Sequence, residues 1–268
     1  MRLILSRKGF DSSAGRFPSP ILEDGHMISL PIPDSQGTVA YSEMRSRGLP
    51  VASLVSDLSG IRPKQAAHLD PDLDPTTLKR SKGWRPAFGQ ANAAAGHLTN
   101  QQVGLGDLFL FFGWFRRVEL LAGRWRYIKT APDLHVLFGW LRVGEILDPL
   151  AAEAPRGLER HPHFDGSIRK DSRVYVGKST TDGGVFGKFA PALQLSVPGP
   201  KRSRWRLPKD FFPGSRTPLS YHQQPKRWQQ TENACILQSA GRGQEFVVDC
   251  KSYPSVRRWA EKLIEGFG

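Results

Sequence analysis

The sequence predicts an α+β fold, a mixed β-sheet or partly closed barrel carrying a few helices. Three observations lead there. Two apolar runs, Leu108 to Phe112 and His135 to Leu141, are short and bounded by turns, as strands buried on both faces are. The 27 glycines and 21 prolines among 268 residues favour short strands joined by turns over long helices. One amphipathic helix is clearly signalled, near the C-terminus.

Taken in order, Leu3 to Leu5 reads as a first buried strand. It runs into SRKGFDSSAGRFPSP, where Gly9, Gly15, Pro18 and Pro20 forbid regular structure. Ile21-Leu22 and Met27 to Leu30 flank the turn Glu23-Asp24-Gly25 as a hairpin. Thr38 to Met44 suggests a further strand, and Leu49 to Leu58 a short helix. His68 to Pro75 is an acidic turn; Ala91 to Ala95 carries no clear signal. A Gly104 to Asp107 turn feeds the strand from Leu108, and Val143 to Ile146 continues or follows the strand from His135. Val174 to Val176, Leu193 to Leu195 and Phe246 to Val248 supply further strands. Residues 201–228 are basic, proline-bearing and without periodicity, and read as a surface insertion. In the last helix Pro254 sits in the first turn, Val256, Trp259, Ala260, Leu263 and Ile264 share a face, and Gly266 ends it. Repeats are absent, and a single domain over 1–268 is expected, with a sub-boundary near 150–166.

Charge is the strongest bulk signal. The net charge is +13, and it is uneven: residues 1–150 hold 18 Lys+Arg against 14 Asp+Glu, residues 151–268 hold 20 against 11. Such an excess attracts polyanions, which makes DNA or a nucleotide the expected partner. Two cysteines, Cys235 and Cys250, exclude a disulfide framework and fit a reducing compartment. The opening apolar run is too short for a signal peptide, and no run approaches the ~20 residues of a membrane span. A cytoplasmic protein with no membrane partner is expected.

Several motifs are tempting and fail. Gly177-Lys178-Ser179-Thr180 lacks the glycine that a phosphate loop needs, with Ser172 in its place. Asp70, Asp72 and Asp74 start like a calcium loop, but Pro75 and Ser81 stand where glycine and glutamate are required. His68 with Asp70 and Asp72 suits binding of a divalent ion or acid–base work, although Asp and Pro also suit a solvated turn. His161, His163 and Asp165 around Pro162 read as an exposed loop, so no metal ligands are assigned and the cofactor is unknown. Asp249-Cys250-Lys251 has the carboxylate–lysine spacing of metal-dependent nucleases, without an identifiable upstream carboxylate.

The loop after the first strand is more suggestive. Arg7, Lys8, Asp11, Ser12 and Ser13 offer cations, hydroxyls and flexible amides to a phosphate, with Asp11 as base or ligand. Five of the seven tryptophans adjoin an arginine. In the basic insertion, Arg204, Trp205, Arg206, Arg227 and Trp228 are the expected nucleic-acid contacts, by stacking and phosphate pairing.

The segments LILSRKGFDSSAG, SPILEDG, SLPIP, HLDPDL, FGQ before Gly-His-Leu, GDLFLFFGWFR, LHVLFGWLRVGEI and SAGRGQEFVVD together resemble the third nucleotide-modification-associated domain family. These are bacterial proteins found near DNA-modification genes. The resemblance implies a part in making, processing or recognising a modified nucleotide or base. Carried onto this chain, it marks Ser6, Arg7, Lys8, Asp11, His68, Asp70, Asp72, Gln90, His97, Arg242, Gln244 and Glu245. The central block is also similar to PUA-like barrels, some of which read modified bases in an aromatic pocket.

Two expectations follow. As an enzyme, the protein would gather Asp11, His68, Asp70 and Glu245 as catalytic groups in one cleft. Arg7, Lys8, Ser12, Ser13, Gln90, His97, Arg242 and Gln244 would bind substrate and phosphate. As a non-enzymatic reader with a PUA-like central portion, it would show an aromatic pocket from Phe112, Trp114 or Trp140. An adaptor role in a modification or defence operon leaves no mark in the residues.

Overall fold

The computed structural model describes residues 1–151, 153–164, 171–199 and 201–268. Its centre is a mixed seven-stranded sheet. The main path runs Gly183–Val185, Leu134–Arg142, Leu108–Leu121, Arg2–Arg7, Glu245–Asp249. Arg2–Arg7 is parallel to Leu108–Leu121 and antiparallel to Glu245–Asp249. Leu108 to Phe112 is wholly buried because strands flank it on both edges and side chains cover both faces. The strand outruns its apolar core, and Leu120 and Leu121 emerge half-exposed.

Ser19–Ile21 and Arg124–Tyr127 complete this sheet. Ser19–Ile21 is also parallel to Leu108–Leu121, with Ser19 opposite Phe115, while Arg7 lies opposite Phe112. Two strand segments thus dock on one edge only three residues apart, and residues 8–18 between them are thrown out as a loop. Lys8 N–H still donates to Phe112 O at 2.9 Å, which pins the loop's root.

Smaller sheets surround this centre: Glu145–Leu147 with Arg173–Val176 and Ala87–Gln90, Arg204–Pro208 with Ala234–Gln238 and Trp228–Gln230, and the pair Ile32–Asp34 with Ala66–His68. The helices are Val51–Ser59, Asn92–Asn100 and Pro254–Phe267. In the last, Val256, Ala260 and Leu263 are buried at helical spacing and join a core that also takes in Leu3, Phe111 and Phe246. Among the described residues the sheets stay open, and no barrel closes.

Several local expectations are corrected. Thr38 to Met44 holds a 3-10 turn at Tyr41–Glu43, because the Glu43 carboxylate accepts the Ala40 N–H at 3.0 Å and closes the turn. Leu193 ends another 3-10 turn, Pro191–Leu193. The alanine run opens a full helix. Residues 201–228 are no surface excursion: Trp205, Leu207, Phe211 and Leu219 are buried. The alternation Arg204-Trp205-Arg206-Leu207 is strand patterning, apolar side chains inward and arginines outward. Of the boundary sought near 150–166, residues 152 and 165–166 lie outside the described residues.

Candidate functional site

Strand alternation sends Arg7 and Lys8 to opposite faces of the central sheet. On the Lys8 face stand Ser6 and, directly across the antiparallel pair, Glu245. Lys8 Nζ lies 3.1 Å from Glu245 Oε1 and 4.4 Å from the centroid of Phe88. Gln90 Nε2 donates to Glu245 Oε1 at 2.6 Å and to Gln244 Oε1 at 3.1 Å. Glu245 is 1% exposed, and its Oε2 has no hydrogen-bond partner among the described residues.

On the other face, Arg7 lies over the rings of Phe112 and Phe246 and donates to Ala240 O at 2.9 Å and Gly241 O at 3.2 Å. Burial lowers its pKa, with Asp11 opposing. The loop between these faces is held by Asp11, whose Oδ1 accepts from Ser13 N, Ser13 Oγ and Ala14 N, each at 2.7 Å. Gly15 is required there: its φ is +78°, and a Cβ would stand 2.2 Å from the Phe10 ring.

The acidic turn after Ala66–His68 is no solvated surface. Asp70 points inward, its side chain 4% exposed, and three imidazoles surround it. His161 Nε2 is 3.5 Å from Asp70 Oδ1; His163 Nε2 and His68 Nε2 are 3.8 and 4.0 Å from Oδ2. Gly89 N–H donates to Oδ1 at 2.8 Å, and Asp34 Oδ2 lies 2.8 Å from His68 Nδ1. Burial raises the Asp70 pKa, but the His161 hydrogen bond and the neighbouring His163 and Lys8 outweigh it, and the net direction is downward. Burial pushes His163 down to about 4 against the pull of Asp70. Asp70 is therefore ionised and His163 neutral near pH 7. His161 and His163, expected in an exposed loop, are both buried; Asp165 lies outside the described residues. Asp72, carried over with Asp70, belongs to a separate cluster with Arg80 and Trp84.

These groups line two cavities. One, of about 460 Å³, is walled by Lys8, Asp34, His68, Asp70, His163, Gln90 and Gln244. Ala91 to Ala94, at the start of the helix Asn92–Asn100, also border it, and that helix has no side-chain cap. Its free N–H groups and dipole favour negative charge in the cavity. The other, of about 510 Å³, is walled by Trp114, His135, Lys201, Arg202, Ser12 and Ser239. Arg202 stacks over Trp114 at 4.2 Å and donates to Ser12 Oγ at 2.9 Å. Arg7, Asp11 and Ser13 border both, so the 8–18 loop is their shared wall.

Of the four expected catalytic residues, Asp11, His68 and Asp70 line the first cavity, and Glu245 stands behind Lys8 and Gln90. Arg7, Lys8, Ser13, Gln90 and Gln244 share that cavity, and Ser12 lines the second. His97 is set back, 3.0 Å from Ser220 Oγ and packed on Tyr221, and Arg242 is exposed outside both linings. The tryptophans expected to stack on bases are corrected. Trp205 is fully buried with Nε1 donating to His135 Nδ1 at 3.0 Å, and Trp228 is buried with Nε1 donating to His222 O at 2.7 Å. Neither ring face is open. Arg204 and Arg206 are exposed, while Arg227 is half-buried and donates to Gln238 O.

The residues that sequence reasoning missed are Asp34, Gly89, Lys201 and Arg202. Gly89 had a signal only in hindsight of packing: a Cβ there would lie 2.1 Å from the His163 ring.

A family model described as nucleotide modification associated domain 3 matches residues 2–249. No curated protein and no solved structure matches the chain. No helix among the described residues is long and apolar enough to cross a membrane.

Proposed function

The chain belongs to the nucleotide modification associated domain 3 family, and from that premise we propose that it is an enzyme acting on the base of a phosphorylated nucleoside, free or in DNA. One observation carries the reading: the two cavities share the 8–18 loop as a wall. The second cavity, with Arg7, Lys201 and Arg202, suits phosphate; charge-assisted hydrogen bonds from guanidinium groups bind it in fixed orientation. The first offers groups that handle protons and developing charge: the Asp70 carboxylate among imidazoles, the Lys8 ammonium, the Gln90 amide and an uncapped helix start. A nucleotide laid across the loop sets its phosphate on one side and its base on the other.

The reader alternative finds less support. Phe112 is buried, and the Trp114 face is already occupied by Arg202. Titration of the protein with deoxynucleosides and their 5′-monophosphates tests the enzyme reading. The monophosphates are expected to bind at least about 10-fold tighter, and Arg202→Ala to erase that advantage. Asp70→Asn is expected to keep nucleotide binding while abolishing base conversion, read by mass spectrometry of nucleosides from cells carrying the gene. Equal affinity with and without phosphate, or undiminished conversion in Asp70→Asn, would show the assignment to be wrong.

A further inference from the structure

We propose that His68, Asp70 and His163 form a binding site for one divalent first-row transition metal ion, with its remaining coordination positions open to the 460 Å³ cavity. One ligand atom from each residue lies within 4.8 Å of the other two. Around a metal, donors at about 2.0–2.2 Å stand roughly 3.3–3.5 Å apart. Asp70 Oδ2 is 3.8 Å from His163 Nε2 and 4.0 Å from His68 Nε2, so a small inward shift of side chains closes the site.

The surroundings prepare each ligand. His68 donates from Nδ1 to Asp34 Oδ2 at 2.8 Å, which leaves the Nε2 lone pair facing the site; carboxylates commonly fix ligating imidazoles in this way. Asp70 Oδ1 accepts from Gly89 N–H, leaving Oδ2 for the ion. His161 Nδ1 accepts the His163 N–H at 3.3 Å, so its Nε2 carries the proton and faces Asp70 Oδ1 at 3.5 Å. His161 is thus a positioning residue that steers the carboxylate. The missing Cβ of Gly89 makes the room in which the His163 ring lies.

Donor chemistry sets the class of ion. Imidazoles favour zinc, copper, iron, cobalt or nickel over manganese, magnesium and calcium, which suit oxygen ligands. Three protein ligands with open positions is the pattern of a catalytic site rather than a closed structural one. Lys8 borders the same cavity but is paired with Glu245.

The test uses the full chain, stripped with a chelator, and reads metal binding without any nucleotide. Calorimetric titration with Zn²⁺ should show one ion per chain, and Co²⁺ should develop visible absorption that saturates at one equivalent. His163→Ala and Asp70→Asn should each weaken Zn²⁺ binding at least about 100-fold, and Asp34→Asn about 10- to 100-fold. His26→Ala, at a half-buried ring paired with Asp24 and outside the lining of this cavity, should change nothing. Should a ligand variant fail to fold, the Co²⁺ spectrum of the unaltered chain still decides. Substoichiometric Zn²⁺ binding, a silent Co²⁺ spectrum, or affinity that survives both ligand substitutions overturns the site. None of these outcomes bears on the phosphate test with Arg202→Ala, so the two inferences fail separately.

Discussion

Lys8 and Glu245 form a buried ion pair whose energetics can be worked out before any measurement. At 3.1 Å and an effective dielectric constant of about 20, their attraction is about 5 kcal/mol. Removing both charges from water costs several kcal/mol per ion, which nearly cancels that gain. Breaking the pair from one side is another matter, since the surviving charge stays buried; typical costs are about 3–5 kcal/mol. The two sides are unequal here. After Glu245→Gln, Lys8 still faces the Phe88 ring and borders a polar cavity of about 460 Å³, which puts the loss at about 3 kcal/mol or less. After Lys8→Met, Glu245 keeps only the Gln90 amide, and its Oε2 already lacks a partner, which puts the loss at about 4–5 kcal/mol.

The double variant Lys8→Met/Glu245→Gln removes both charges while Gln90 can still donate to the new amide oxygen. It should be no less stable than Glu245→Gln alone, giving a coupling energy of about 4 kcal/mol or more. Urea denaturation of the four proteins at neutral pH measures this through their midpoints at constant slope. Single variants that each cost under about 1 kcal/mol, or a double variant equal to their sum, would refute the reasoning. The same double variant then separates stability from chemistry: a well-folded protein that binds nucleotide without converting it assigns the pair to the reaction rather than to the fold.

Further predictions follow from other clusters. Gly89→Ala forces a Cβ to within 2.1 Å of the His163 ring and should weaken Zn²⁺ binding at least about 10-fold in calorimetry, with a stability loss of about 1–3 kcal/mol. Gly96→Ala, in a helix with nothing within 4 Å, should leave metal binding intact and raise the melting temperature, since alanine gains up to about 1 kcal/mol of helix propensity. Asp72→Ala strands Arg80 and the Trp84 indole and should destabilise by about 3 kcal/mol, yet at a permissive temperature nucleotide affinity should stay within about 2-fold. His222 is fully buried, donating from Nδ1 to Ser220 O and accepting the Ala240 N–H at Nε2, and burial pushes its pKa down to about 4. Its unfolded pKa is about 6.5, so the unfolded chain takes up the proton first as pH falls. The stability that the neutral ring holds above about pH 6.5 is lost progressively down to about pH 4, roughly 2 kcal/mol by pH 5. Denaturation at pH 7 and 5 should show that loss in the native chain and a smaller one in His222→Gln.

Part of this architecture was legible along the chain, and part depended on contacts that no spacing reveals. The buried strands at Leu108 and His135 were legible because a strand covered on both faces needs an unbroken apolar run. Residues 201–228 were misread because proline and arginine are conspicuous, while the inward alternation of Trp205 and Leu207 is only two residues deep. His161 and His163 looked like loop residues for a similar reason: they do lie in a loop, and long-range packing buries them, the His163 ring against Gly89 and the His161 ring beside Asp70. Asp34 carried no signal, since its link to His68 is a diagonal contact across a pair of three-residue strands far apart in sequence.

The placement of Arg7 and Lys8 shows how little sequence is needed to build a two-sided site. Consecutive residues at the end of a strand must face opposite sides of a sheet, so Lys8 is delivered to the first cavity alone while Arg7 borders both. That alone would leave the sides sealed from each other by the strands. Instead the chain leaves the sheet after Arg7 and returns three positions along the same neighbour, so residues 8–18 form a loop that borders both cavities where a strand would otherwise run. Asp11 then serves geometry more than proton transfer, since three hydrogen bonds to one of its oxygens hold the loop's shape. It follows that Asp11→Asn, which keeps an acceptor oxygen, should preserve most activity, whereas Asp11→Ala should lower nucleotide affinity by disordering the wall both cavities share. Full retention of binding by Asp11→Ala would mean that the loop is not what joins the two sides.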